Sequence, residues 1–122
     1  MKVIHSKDVE SIEVKAGTGT VRQVLISDKE GPNFAMRKFI MQKGGGMPRH
    51  TNTVEHEQYV LKGKARIGIA DKTFEVSAGD AVYIPANVPH WYTNIGEENF
   101  EFLCLIPNQP DLITVLPGDA AC

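Results

Sequence analysis

Residues 44–63 read GGGMPRHTNTVEHEQYVLKG, and residues 79–94 read GDAVYIPANVPHWYTN. Between them these segments carry His50, His56 and His90, three of the four histidines in the chain. Gly63 and Gly79 punctuate runs of alternating apolar residues, the pattern of short strands joined by tight turns. Strand geometry puts successive side chains on opposite faces. Gln58 and Val60 therefore share the face of His56, while Glu57, Tyr59 and Leu61 take the other. Tyr92 likewise shares the face of His90. A single strand histidine is more often a hydrogen-bonded structural residue than a ligand. Three neutral imidazoles brought together are good ligands for a divalent first-row metal. Spacing alone leaves open whether they converge, and His5, near the start, is given no role.

The same pattern extends outward. Residues 11–15 alternate polar and apolar as an edge strand does, residues 16–20 read as a turn, and residues 21–26 as a strand. Residues 28–33 form a loop. Residues 34–42 are apolar on both faces, interrupted by Arg37 and Lys38, which suits a strand buried between two sheets. The Gly-Gly-Gly-Met-Pro run after Lys43 is expected to break that strand. Further strands are expected at 65–70, 72–76, 81–84, 90–94 and 100–106, with a rigid loop at 85–89. Residues 108–122, bearing Pro110, Pro117 and Gly118, read as a tail. With no trustworthy helix period, the chain is expected to form one all-β domain. It comprises N-terminal strands in residues 1–31, a barrel core in about 34–107, and that tail. An antiparallel jelly roll is one solution to this pattern.

Composition excludes several roles. The chain has 122 residues, enough for one core without disulfides, and a formal net charge of −2. Its charges are scattered, so neither nucleic acid nor an anionic membrane is an expected partner. The longest apolar run is far too short to span a bilayer, and the N-terminus lacks an apolar signal segment. Cys104 sits in an apolar strand and Cys122 ends the chain, a poor disulfide pair. A cytoplasmic protein with free thiols is the expectation.

These segments resemble the two motifs of the cupin superfamily. The first, G-x5-H-x-H-x3-E-x6-G, falls on Gly44, His50, Asn52, His56 and Gly63. The second, G-x5-P-x-G-x2-H-x3-N, falls on Gly79, Pro85, Asn87, His90 and Asn94. Every spacing is kept and three residue types differ. Asn52 stands for the second histidine, His56 for the glutamate and Asn87 for a turn glycine. Asn tolerates left-handed backbone, so the last exchange is harmless. The Glu55-His56-Glu57 run is similar to small single-domain, manganese-type cupins that place a histidine at the glutamate position.

The resemblance implies a double-stranded β-helix (jelly-roll) barrel and one divalent transition metal per chain, manganese or iron before copper, nickel or zinc. The implied ligands are His50, His56 and His90, with Asn52 a weak oxygen ligand or a hydrogen-bond partner of metal-bound water. Gln58, Tyr92, Arg37 and Cys104 are expected to line the pocket. Arg37 is read either as an exposed cation or as a partner for a substrate carboxylate. Cys104 is read as core, oxidisable if a redox metal is near. The implied function is dioxygenase-like oxidation of a small chelating molecule. The alternatives are a non-enzymatic module that binds a sugar or acid through the metal, and a metal-dependent lyase, isomerase or decarboxylase. The resemblance also implies a homodimer in which residues 11–26 are exchanged.

Overall fold

The computed structural model describes residues 1–117; Gly118 and Cys122 lie outside the described residues. Ten strands follow one another: β1 (Ile12–Glu13), β2 (Thr18–Ile26), β3 (Phe34–Asn52), β4 (His56–Lys62), β5 (Lys64–Ile69), β6 (Lys72–Ser77), β7 (Ala81–Ile84), β8 (His90–Asn94), β9 (Phe100–Pro107) and β10 (Ile113–Val115). All of their pairings are antiparallel, in the order β6-β5-β8-β3-β9-β4-β7, with β2 and β10 also on β3 and β1 on β2. The result is an all-β, jelly-roll type barrel. Among the described residues no helix is long and apolar enough to cross a membrane. His5 accepts a hydrogen bond from the Lys7 amide at a 3-10 turn that Gln23 of β2 holds through the Ser6 and Val9 carbonyls.

The expected break at residues 43–48 does not occur. β3 runs through it as one strand of 19 residues. Its first half pairs with β2 and β9, and its second half with β8 and β10. The glycines allow this passage rather than ending it. Between Thr20↔Met41 and Thr18↔Gly46 the register slips, and the extra residues bulge outward at Gly44, whose φ is 79°. At Gly46 the chain lies so close to β8 that a Cβ would meet the carbonyl of Tyr92 and come within 3.2 Å of Thr93 Cα. Asn94 fastens the same corner. Its Nδ2 donates to the carbonyls of Met41, Gln42 and Glu98, each at 3.0 Å, and its Oδ1 accepts from the Gly96 amide. Three carbonyls at the bulge and the following turn thus share the two N–H groups of one side-chain amide.

Other expectations need correction. Residues 18–20 belong to β2 rather than to a turn, because Thr20 is buried with its hydroxyl bonded to Thr18 O and Gly46 O. β3 is buried on one face only: Ala35, Arg37, Phe39 and Met41 point inward. Lys38 points out and pairs with Glu101 at 3.2 Å. Part of the tail is ordered as β10, laid on the strand that carries His50.

The inward faces sort themselves by level. Phe39 of β3 faces Phe102 of β9, their ring centroids 5.2 Å apart, and Tyr92 stacks on Phe102 at 5.3 Å. Met41, Val60, Ala65, Ile67 and Phe100 complete this buried end of the barrel. Burying one such side chain contributes about 1.5–3 kcal/mol. Gly46→Ala should cost about 1–3 kcal/mol, because backbone must move to admit the methyl group. A lowered urea midpoint is expected; an unchanged one would contradict the close approach of β3 and β8.

Candidate functional site

Above the aromatic layer the inward positions become polar. His50 of β3 and His90 of β8 are direct cross-strand partners, and their ring centroids lie 4.2 Å apart. His56 starts β4 and meets His90 across the lumen at 5.5 Å. All three side chains are buried.

Two of the rings are held alike. The Nδ1 of His50 lies 2.7 Å from the Pro48 carbonyl, and the Nδ1 of His90 lies 2.9 Å from the Val88 carbonyl. A carbonyl only accepts, so each Nδ1 carries the proton and each Nε2 presents a lone pair. The Pro48 carbonyl lies within the register slip between Met47 and His50. In the loop before His90, Asn87 has the left-handed φ of 67° expected of it, and its amide donates to Asn52 O at 2.7 Å. His56 differs, with its Nδ1 3.4 Å from Cys104 Sγ. The Nε2 atoms of His56 and His90 are buried with no hydrogen-bond partner.

Burial governs the protonation of the three rings. Desolvation holds His56 down to about 3, with Arg37 and the other two histidines adding to the shift. Desolvation, then the nearby His50, holds His90 at about 4. His50 is lowered too, again by burial first. All three imidazoles are neutral at pH 7.

A cross-strand row runs beneath His56. Val24, Arg37, Cys104, Gln58 and Val82 are successive partners on β2, β3, β9, β4 and β7. Along it Arg37 Nη2 donates to Cys104 Sγ at 3.2 Å, and Gln58 Nε2 donates to Tyr92 Oη at 2.7 Å and approaches Cys104 Sγ at 3.6 Å. Burial pushes the Cys104 thiol up, and pushes the Tyr92 phenol up as well, so both stay protonated. Arg37 is therefore not an exposed cation: it is 9% exposed, and its guanidinium lies 5.0 Å from the Phe39 ring centre.

One cavity of about 70 Å³ touches His50, His56, His90, Asn52, Arg37, Gln58, Tyr92 and Cys104. All eight residues singled out in the sequence thus line the same space. Asn52 donates through Nδ2 to the Asp111 carboxylate at 3.1 and 3.3 Å, leaving its Oδ1 buried and unpartnered. Among the described residues, however, no three His, Cys, Asp or Glu side chains form a ready-made metal cluster. Glu55 and Glu57 are absent from the lining. Glu57 is exposed, and its pKa is raised to about 7 by desolvation and its contact with Glu55.

Sequence reading missed Arg22, Val14, Met47 and Ile113, which also line the cavity. In the run Val21-Arg22-Gln23-Val24 apolar and polar residues do not alternate, so the inward face of β2 was not legible. Ile113 sits in the segment read as a tail.

Residues 37–106 match the family described as Cupin domain. Acireductone dioxygenase 1 of Pectobacterium atrosepticum is 26% identical over 92 residues, covering 72% of this chain and 50% of that one. Oxalate decarboxylase of Bacillus subtilis is 34% identical over 106 residues, covering 77% of this chain and 26% of that one. The chain spans half or less of the length of the curated relatives it matches. Among solved structures, the polyketide cyclase RemF from Streptomyces resistomycificus superposes with a TM-score of 0.85 at 29% identity, covering 98% of this chain and 89% of that one. A cupin-2 domain from Rhodospirillum rubrum shares the fold with a TM-score of 0.84 at 22% identity, covering 98% and 83%. The family match spans more than half of the chain and coincides with the barrel that carries the histidines, and the chain belongs to the cupin family.

Proposed function

We propose that His50, His56 and His90 hold one divalent transition metal, and that the protein is a small-molecule oxidoreductase of dioxygenase-like chemistry. The observation that carries the reading is the pair of buried, unpartnered Nε2 atoms on His56 and His90, whose rings lie 5.5 Å apart and line one cavity. A buried polar nitrogen without a partner costs about 1–3 kcal/mol, and a metal ion removes that cost. The Nδ1 bonds of His50 and His90 to carbonyls are the second-layer contacts that metal-bound imidazoles make. Iron or manganese is favoured; nitrogen donors also suit copper, nickel and zinc.

When bound, the metal supplies a Lewis acid and a redox centre at which a small substrate and dioxygen are brought together. The chain supplies the rest. The Pro48 and Val88 carbonyls fix two of the rings, and Met41, Met47, Phe39 and Ile113 give the cavity an apolar wall that excludes water. No carboxylate among the described residues lines the cavity, so a carboxylate general base is not at hand. This favours oxidation over the decarboxylase, lyase and isomerase readings. The relatives include both a dioxygenase and a decarboxylase, so the choice rests on the cavity lining rather than on similarity. Asn52, through its free Oδ1, serves as a weak ligand or orients a metal-bound water.

Elemental analysis of the untagged protein should find about one equivalent of iron, manganese or copper per chain. His56→Ala should reduce it to background while far-ultraviolet circular dichroism stays unchanged. Oxygen uptake with small chelating acids then tests the reaction. Full occupancy in the variant would refute the ligand set, and turnover without oxygen would refute the oxygenase.

The low pKa values of the rings give the metal-free protein a pH signature. Below the ordinary value of 6.5 the unfolded chain takes up protons that folded His56 and His90 refuse until about 3 and 4. Stability is therefore full above 6.5 and falls as pH drops through that window, by up to about 1.4 kcal/mol per pH unit for each histidine. Urea midpoints of the metal-free protein at pH 7 and pH 5 measure it. Equal midpoints would mean that the rings are solvated.

A further inference from the structure

Two guanidiniums line the histidine cavity, and among the described residues no carboxylate stands on its lining. Arg37 is nine-tenths buried against the sulfur of Cys104 and the ring of Phe39. Its Nε is buried without a hydrogen-bond partner. Arg22 stands beside it. In the β2–β3 register Arg22 faces Phe39 and Val24 faces Arg37, so the two arginines are diagonal neighbours on one inward face. Arg22 is half-buried, and its Nε is likewise unpartnered. Neither guanidinium forms an ion pair among the described residues, although five other ion pairs are present. Burial lowers the pKa of Arg22, and repulsion from Arg37 adds to it. Two neighbouring like charges, one buried and one half-buried, oppose folding where no counter-ion pairs with them. Such an arrangement persists where the missing anion is a ligand.

We propose that this cavity binds a small carboxylate anion, held at one end by the guanidiniums of Arg22 and Arg37 and reaching the histidine trio with the other. Both arginines and all three histidines line the same space. Planar guanidinium donors match the two oxygens of a carboxylate, and charge-assisted bonds of this kind are the strong ones. A volume of about 70 Å³ limits the occupant to a short acid. A tetrahedral phosphate fits less well, because the cavity offers these two guanidiniums and largely apolar walls rather than a cradle of backbone amides. The site names the substrate class for the oxidoreductase proposed above, and rests on that reading only at its metal end.

Calorimetric titration of the metal-loaded protein with acetate, malonate and succinate tests it, with malonamide, succinamide and inorganic phosphate as controls. At least one acid should bind where its amide does not. Arg22→Gln and Arg37→Gln should each weaken that binding roughly 10–100-fold while metal content stays at the wild-type level. The half-exposed Arg22 keeps the test valid should the Arg37 variant fail to fold. Equal binding of acids and amides, binding of phosphate alone, or wild-type affinity in Arg22→Gln would overturn the anion site. Arginine-dependent acid binding by protein that takes up no metal would leave the anion site standing and refute the metal centre instead.

Discussion

The course of β3 is the constraint on which the rest of the barrel depends. One strand of 19 residues serves both halves of the sheet, pairing with β2 and β9 before its bulge and with β8 and β10 after it. Because side chains alternate with period two, the bulge also decides which residues face inward beyond it. A slip of one residue would turn His50 out and Arg49 in. Gly44 permits the bulge, Gly46 lets β8 close on it, and the Asn94 amide secures the loosened carbonyls. The final asparagine of the second motif is thus a structural clasp. It sets the height at which His90 meets His50, without itself lining the cavity.

A consequence of that register is a division of the interior into two levels. The aromatic level around Phe39, Phe102 and Tyr92 gains its stability from apolar burial. The level above it buries three imidazoles, two amides, a guanidinium and a thiol. Some of these groups satisfy one another, as Gln58 does with Tyr92. Others do not: nitrogens of His56, His90, Arg22 and Arg37 and an oxygen of Asn52 are left buried and alone. Native interiors rarely carry several such atoms side by side, since each one costs folding free energy. Their concentration on the lining of one cavity marks that end of the barrel as a place for ligands, and the apolar level below supplies the stability to carry it.

The all-β class was legible in the sequence because turn glycines, prolines and period-two alternation agree from β4 to β9, and the barrel followed from the resemblance carried by the two motifs. The facing of His56, Gln58, His90 and Tyr92 followed from alternation alone. What escaped reading has a physical reason in each case. The glycine run after Lys43 looked like a strand end, because sequence does not tell a bulge from a break. Arg37 interrupts an apolar run and so fits either face on sequence; its burial, its place over Phe39 and its bond to Cys104 show that it points in. Arg22 lies in a stretch without clean alternation. The tail hid β10, a strand whose residues are exposed and whose pairing with β3 is decided by the partner rather than by its own pattern.

The exchange of a motif histidine for Asn52 joins these observations. Its Nδ2 is bound to the Asp111 carboxylate, and the same carboxylate accepts the Thr53 amide. The Thr53 hydroxyl, in turn, bonds to Pro110 O and the Leu112 amide, and the Leu116 amide donates to Arg49 O. The segment that ends in β10 is therefore laced to the strand carrying His50, through the position where a fourth imidazole would stand. Asp111 spends its charge on this lacing and forms no ion pair with the buried arginines. A glutamate at position 56 would have partly neutralised the cavity; a histidine does not. The exchange at 52 swaps one neutral group for another, so the exchange at 56 alone takes a negative charge from the lining. In a chain whose net charge is −2, the lining of this cavity carries no carboxylate among the described residues, and its two guanidiniums stand there without an ion pair.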